Sequence, residues 1–219
     1  MNFEQARWNM VEQQVRTWDV IDDTVLGRML AVKREEFVPQ AYRTLAFAET
    51  EIPLGHGATM LLPVMEGKIL QVLQIKKTDT VLEVGTGSGY FAALLGALSK
   101  VVLSVEIVPE LAREAREALA RNGVGNVRVE EGDGIQGWAP YAPYDVIVVS
   151  GVVPTVPDAL LTQLKPGGRL FAFTGDDLPL RGTLIRRSSD GNACETSYLF
   201  ETDHVKPMVL SDYTEPFVF

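Results

Sequence analysis

Cysteine is almost absent from this chain: Cys194 is the single one among 219 residues. That excludes a disulfide framework and a thiolate metal cluster. Histidine is nearly as scarce, with His56 and His204 far apart in sequence, so no metal-ligand spacing exists and no metal is expected. No apolar run approaches the roughly 20 residues needed to span a bilayer. Residues Met1 to Arg7 have neither the basic start nor the apolar core of a secretory leader. Basic residues are in deficit, 20 against 29 acidic ones, for a net charge of −9. A nucleic-acid partner calls for a basic face that displaces counterions, and this chain is not expected to have one. These absences predict a cytoplasmic protein with no membrane, metal or nucleic-acid partner. Hydrophobic residues at 46% and charged ones at 22% match globular averages. The length suits one domain, residues 1–219, with a sizeable core.

Three stretches follow one another. Residues 1–75 look mostly helical. Trp8, Val11, Val15 and Trp18 fall at helical spacing, as do Val25, Met29 and Val32, and both sets are expected in the core. Asp22 or Asp23 is placed to cap the second helix. Residues 52–63 carry two prolines and two glycines, which predicts a shaped loop, and a helix from Met65 to Gln74 follows. From 78 to 175, apolar runs alternate with helical stretches, the pattern of a parallel sheet with right-handed crossovers. Its fourth strand is expected at Tyr144 to Ser150. A turn from Leu164 then feeds a fifth strand, Leu170 to Thr174. Residues 181–219 read as a strand pair around the turn at 188–192, then a loop with Pro207 and Pro216.

The densest information lies at residues 83–89. An apolar run, Thr80 to Val84, stops at Gly85, Gly87 and Gly89, and a helix is expected from Tyr90. Glycines at a strand-to-helix turn let the backbone bend sharply and approach a ligand closely. A dinucleotide fingerprint needs its third glycine at position 90, which is Tyr90. Glu83, two residues before the first glycine, sits awkwardly beside a pyrophosphate and suits a cationic ligand. S-adenosylmethionine carries a sulfonium and an ammonium and no phosphate. Val84, Gly85, Thr86, Gly87, Ser88 and Gly89 therefore resemble the first motif of Rossmann-like methyltransferases. Glu106, 21 residues past Gly85, ends a second apolar run, where a carboxylate can accept from both ribose hydroxyls. Ile107 is placed to pack on an adenine face. Asp133 follows a third run and can accept from the adenine amine, while Gly134 leaves room for the ring. The fold class expected is α/β, a doubly wound and mostly parallel Rossmann-like methyltransferase sheet with a helical N-terminal extension.

Beyond the glycine loop, several segments are similar to one family, from about Met10 to Leu184. They are Met10 to Arg16, Val25-Leu26, Arg34 to Pro39 (Arg-Glu-Glu-Phe-Val-Pro) and Ile52 to Gly55. Further along come Gly132-Asp133-Gly134 with Gly137-Trp138, Ala142 to Asp145, and Gln163 to Leu170. Together they resemble the protein-L-isoaspartate O-methyltransferases. The resemblance implies methylation of the aberrant carboxyl group of isomerised aspartyl residues, with S-adenosylmethionine as cofactor and a peptide or protein as substrate.

The same resemblance marks a departure. Members usually carry Gly-x-Gly-Gln-Thr-Ile-Ser-Gln-Pro before the third helix, with a hydroxyl near the reacting carboxylate. Here Thr59 and Pro63 match, while Ala58, Leu61 and Leu62 stand in place of glutamine, serine and glutamine. Thr59 is then the remaining catalytic hydroxyl, and His56 is a nearby loop residue that can offer a donor or base. Ser150 to Val153 is bulkier than the usual small-residue run after the fourth strand. His204 to Val209 loosely matches a late segment of the family's substrate wall. Three functions are compatible: an isoaspartyl methyltransferase, a methyltransferase of this fold with another acceptor such as a small molecule, and a catalytically weak S-adenosylmethionine-binding protein.

Overall fold

The computed structural model of the chain describes residues 1–208. Helix α1 (Phe3–Asn9) is capped by Asn2, whose side chain accepts from the Gln5 amide. It continues into a π-helical segment, Met10–Val15, and a 3-10 turn, Arg16–Trp18. One buried stripe through Trp8, Val11, Val15 and Trp18 does not form. Val11 and Val15 are buried, but Trp8 is 48% and Trp18 60% exposed. The wider π turn breaks the 3.6-residue period, which carries Met10, Val11 and Val15 inward and leaves both indoles outside. Helix α2 (Asp23–Ala31) follows, with Asp22 accepting from the amides of Thr24 and Val25. Val25 and Met29 are core residues. Val32 ends the helix in extended conformation and is half-buried.

The expected loop at 52–63 is a two-stranded hairpin, β1 (Ile52–Gly55) and β2 (Ala58–Met60), paired antiparallel with Pro53 opposite Thr59. Gly55, His56 and Gly57 all have positive φ, and these left-handed residues make the reversal. Helix α3 (Pro63–Leu73) begins with proline at its first position, where no amide hydrogen is needed.

The large sheet has the order β5-β4-β3-β6-β7-β8-β9. Strands β3 (Thr80–Val84), β4 (Val101–Glu106), β5 (Val127–Glu131), β6 (Tyr144–Val153) and β7 (Leu164–Thr174) run parallel. β8 (Leu180–Arg187) and β9 (Cys194–Thr202) add an antiparallel pair at one edge. Helices α4 (Tyr90–Leu98) and α5 (Pro109–Arg121) cross from β3 to β4 and from β4 to β5; a short α6 (Asp158–Thr162) precedes β7. Leu111, Ala112, Ala115, Ala118 and Leu119 form the buried stripe of α5, at the spacing of one helical face. The central strands are covered on both faces, which is why they read as nearly unbroken apolar runs. Val81 and Val102 belong to one core, Leu82, Val84, Leu103 and Val105 to the other.

Two strand boundaries of the parallel sheet differ from expectation. β6 continues past Ser150 to Val153 because Val152 and Val153 pair with Phe173 and Thr174 after a register shift. β7 already begins at Leu164, pairing with Tyr144, so the Lys165 to Gly168 turn is an irregularity inside the strand. After β9 the chain returns across β6: the Val152 amide donates to the Lys206 carbonyl and the Met208 amide to the Val152 carbonyl, at 3.0 and 2.9 Å. Pro216 lies outside the described residues.

Candidate active site

Strand order reverses between β3 and β6, since β4 and β5 lie to one side of β3 and β6 and β7 to the other. The carboxyl ends of strands beside such a reversal leave a crevice outside the sheet. Here that crevice is lined by Val84, Gly85 and Gly87 after β3, Val105, Glu106 and Ile107 on β4, Asp133 and Gly134 after β5, and Ser150 and Gly151 on β6. The hairpin closes one side with Ala58, Thr59 and Leu61, and residues 204–208 close another. The main chain thus brings together sites more than a hundred residues apart.

Glu106 is 5% exposed and accepts from two amides, Gly87 at 2.8 Å and Val108 at 3.0 Å. Its carboxylate therefore clamps the glycine loop against β4. A carboxylate has about four acceptor positions, so two remain for hydroxyl donors. Asp133 accepts from the Ile135 amide at 3.0 Å, which turns the chain after β5. At Gly134 a Cβ would meet Val105 and Val84 at 3.0 and 3.1 Å, and Gly85 has φ +95. Two carboxylates facing an apolar slot of Val84, Val105, Ile107 and Val108 suit a group with hydroxyl and amine donors around a flat ring. That donor set fits an adenosyl group and gives a pyrophosphate little to bind.

Glu83 is not on the cavity wall. It is fully buried in β3, opposite Ser104 in the parallel register, and accepts from the Ser104 hydroxyl at 2.5 Å. Burial pushes its carboxyl up to about 8, against the opposing bond from Ser104. Glu83 Oε1 and the Ser150 hydroxyl are both buried beside each other. Thr86 is also buried, 2.5 Å from the Ser104 hydroxyl. Glu83, Ser104 and Thr86 therefore brace the loop from beneath. Ser88 accepts from the Tyr90 amide at 3.3 Å, and Gly89 caps α4 with φ +82, in close contact with Ala115.

Thr59 stands between the main cavity and a smaller one of about 50 Å³ that also touches Thr86, Ser88, Phe91 and Glu66. Leu61 borders both, while Leu62 lines a separate outer groove. His56 is exposed at the hairpin tip, away from the cavity. The three altered positions thus divide, Ala58 and Leu61 facing the cavity and Leu62 facing away.

Sequence reasoning missed the buried pair under the hairpin. Arg34 is fully enclosed, ion-paired with Glu66, and donates to the Leu61 carbonyl at 2.8 Å. Burial raises the Glu66 carboxyl to about 7, although Arg34 pulls the other way. A glutamate on the buried face of α3, among Val64, Ile69 and Leu70, was the available signal. Met208, within the segment expected to form a substrate wall, lays its side chain against Gly85 and Gly151.

No helix among the described residues is long and apolar enough to cross a membrane, and no cluster of three metal-ligating side chains occurs among them. The profile of the family Protein-L-isoaspartate(D-aspartate) O-methyltransferase matches residues 5–205. Protein-L-isoaspartate O-methyltransferase 1 of Rhodopseudomonas palustris is 42% identical over 196 residues, covering 89% of this chain and 80% of that protein. The Protein-L-isoaspartate O-methyltransferase of Myxococcus xanthus is 47% identical over 154 residues, 70% of this chain and 73% of its own. Among solved structures, a protein-L-isoaspartate O-methyltransferase superposes with TM-score 0.80 at 26% identity, covering 94% of this chain, which spans 66% of that one. A Plasmodium falciparum protein described as belonging to the same enzyme class, in complex with S-adenosyl-L-homocysteine, has the same fold (TM-score 0.79, 21% identity, 95% and 99% covered). With glycine loop, strand-tip acids and hairpin in one crevice, the chain belongs to the protein-L-isoaspartate(D-aspartate) O-methyltransferase family, a family of S-adenosylmethionine-dependent methyltransferases.

Proposed function

We propose that this protein methylates the free carboxylate of isoaspartyl residues in peptides and proteins, with S-adenosylmethionine bound over Gly85, Gly87 and Gly134. The observation that carries this is the continuity of one crevice from Glu106 and Asp133 at the strand tips to Thr59 on the hairpin. In this reading Glu106 holds the ribose and Asp133 the adenine amine. When bound, S-adenosylmethionine supplies an electrophilic methyl group on a sulfonium.

The chain's own residues have little proton chemistry to perform. A carboxylate is ionised at pH 7, so no general base is required. Thr59 makes no side-chain hydrogen bond among the described residues and is half-buried at the junction of the two cavities, so its hydroxyl is available to orient the acceptor oxygen. Leu61, Val205 and Met208 exclude water around it. Orientation of this kind is worth on the order of 7–11 kcal/mol when geometry is near ideal. The single cysteine, the acidic balance and the covered sheet suit one domain working in the cytoplasm on a polypeptide rather than a nucleic acid.

A second acceptor class is favoured by one observation: Ala58 and Leu61 leave Thr59 as the only hairpin hydroxyl on the cavity wall. Burying a carboxylate with few donors costs several kcal/mol, which favours a less polar acceptor. Radiolabelled methyl transfer to an isoaspartyl peptide beside its normal aspartyl twin decides between them. Label confined to the isoaspartyl peptide supports the first reading, and label in neither peptide overturns it and leaves another acceptor or a catalytically weak S-adenosylmethionine-binding protein.

A further inference from the structure

A groove of about 470 Å³ runs along the outer side of the hairpin, lined by Trp18, Glu49, Leu62, Val64, Met65 and His204, among others. It lies next to the crevice, with His204 bordering both. Its floor is apolar, with Leu62 and Val64 buried beneath it. Trp18, which the π-helical turn carries out of the core, forms an aromatic wall and is 60% exposed.

The charges around this groove are unevenly matched. Lys68 is held between two rings, 5.2 Å from both Trp18 and Phe200. Glu51 pairs with Lys206 at 2.9 Å, and His204 with Asp203. Glu49 is exposed at the rim, accepts from the Val64 amide and lies in the field of His204 and Lys68, but makes no ion pair among the described residues. A long apolar stem with a cationic head satisfies both features, as lysine and arginine side chains do when they lie along apolar surface and keep the charge outside.

We propose that this groove binds a lysine or arginine side chain of the polypeptide acceptor, at a position flanking the modified residue. Its stem lies on Leu62, Val64 and Trp18, and its head meets the Glu49 carboxylate. The groove gives the enzyme a preference among isoaspartyl sequences. Leu62 then has a role that a glutamine would perform less well, because the floor must be apolar. This inference rests on the acceptor being a polypeptide.

The test is calorimetric binding of isoaspartyl peptides that differ only in the flanking residues, with S-adenosylhomocysteine present. Lysine, norleucine, which keeps the stem without the charge, and glutamate are compared. Lysine-flanked peptides should bind about threefold to fivefold more tightly than norleucine-flanked ones, the upper value of one exposed ion pair. Glu49→Gln should erase that difference. Glu195→Gln, an equal charge change on the exposed edge strand β9, should leave it intact. Equal binding of lysine and norleucine peptides to the wild type overturns the proposal, as does a preference that survives Glu49→Gln. Radiolabel transfer to the same peptides separates the two levels. Peptides bound with lysine preference but never methylated overturn the isoaspartyl activity and leave the groove. Peptides methylated without preference overturn the groove alone, and failure of every peptide to bind overturns both.

Discussion

Arg34 holds Leu61 in place from beneath: its guanidinium donates to the Leu61 carbonyl at 2.8 Å, pairs with the Glu66 carboxylate and lies 4.8 Å over the Tyr90 ring. All of these groups are buried. The far end of the hairpin is therefore positioned by a residue 27 places earlier in the chain. Removing one partner of a buried pair strands the other charge, at about 3–5 kcal/mol. Arg34→Met should lower the melting temperature accordingly, and adding Glu66→Leu should recover part of the loss. A double variant no more stable than Arg34→Met, in thermal denaturation at pH 7.5, would show that the stranded charge is not the cause.

Glu106 clamps the glycine loop and, in the function proposed above, also holds the cofactor's ribose. Glu106→Ala removes two amide contacts along with any bonds to ribose, each charge-assisted bond being worth roughly 1.5–3 kcal/mol. S-adenosylhomocysteine affinity should fall at least tenfold in calorimetry. Unchanged affinity would remove Glu106 from the cofactor site.

Glu83 makes stability depend on pH in a stated direction. Its folded carboxyl is raised to about 8 by burial, above the ordinary carboxylate value. Between those two values the native state holds a proton that the unfolded chain has lost, so stability from this group is full at acid pH and declines as pH rises towards 8. Glu83→Gln keeps the shape and removes the titration. Its melting temperature should gain on the wild type steadily from pH 5 to pH 8, and parallel curves across that range would contradict the assignment.

The altered hairpin predicts a gain of function. Ala58→Gln with Leu61→Ser returns polar groups to two positions that face the crevice. Isoaspartyl methylation should rise by about an order of magnitude, equivalent to roughly one hydrogen bond of 1.4 kcal/mol, with S-adenosylhomocysteine affinity unchanged as control. Leu62→Gln should bring no further gain, and should weaken peptides with a basic flanking residue, because Leu62 floors the outer groove. A wild type already efficient on isoaspartyl peptides, with the double variant no better, would show that Thr59 suffices.

Much of this protein is determined locally. Alternating apolar runs and helical stretches from 80 to 174 specify a parallel sheet, because strands covered on both faces have no need for polar positions. Glycines at 85, 87 and 134 and acids at 106 and 133 stand at strand ends and line one crevice, as their spacing in the sequence predicts. Other features depended on packing between distant segments. The π turn at Met10–Val15 put Trp8 and Trp18 outside, although periodicity placed them in the core. Glu83 is the acid that suggested a cationic ligand, yet its register with Ser104 buries it below the crevice. Leu61 and Leu62 are chemically identical neighbours, and only the hairpin's course over Arg34 sends one into the crevice and the other into the groove. Residue type reports what a position can tolerate, whereas the face it presents is decided by contacts with chain tens of residues away, which no local pattern records.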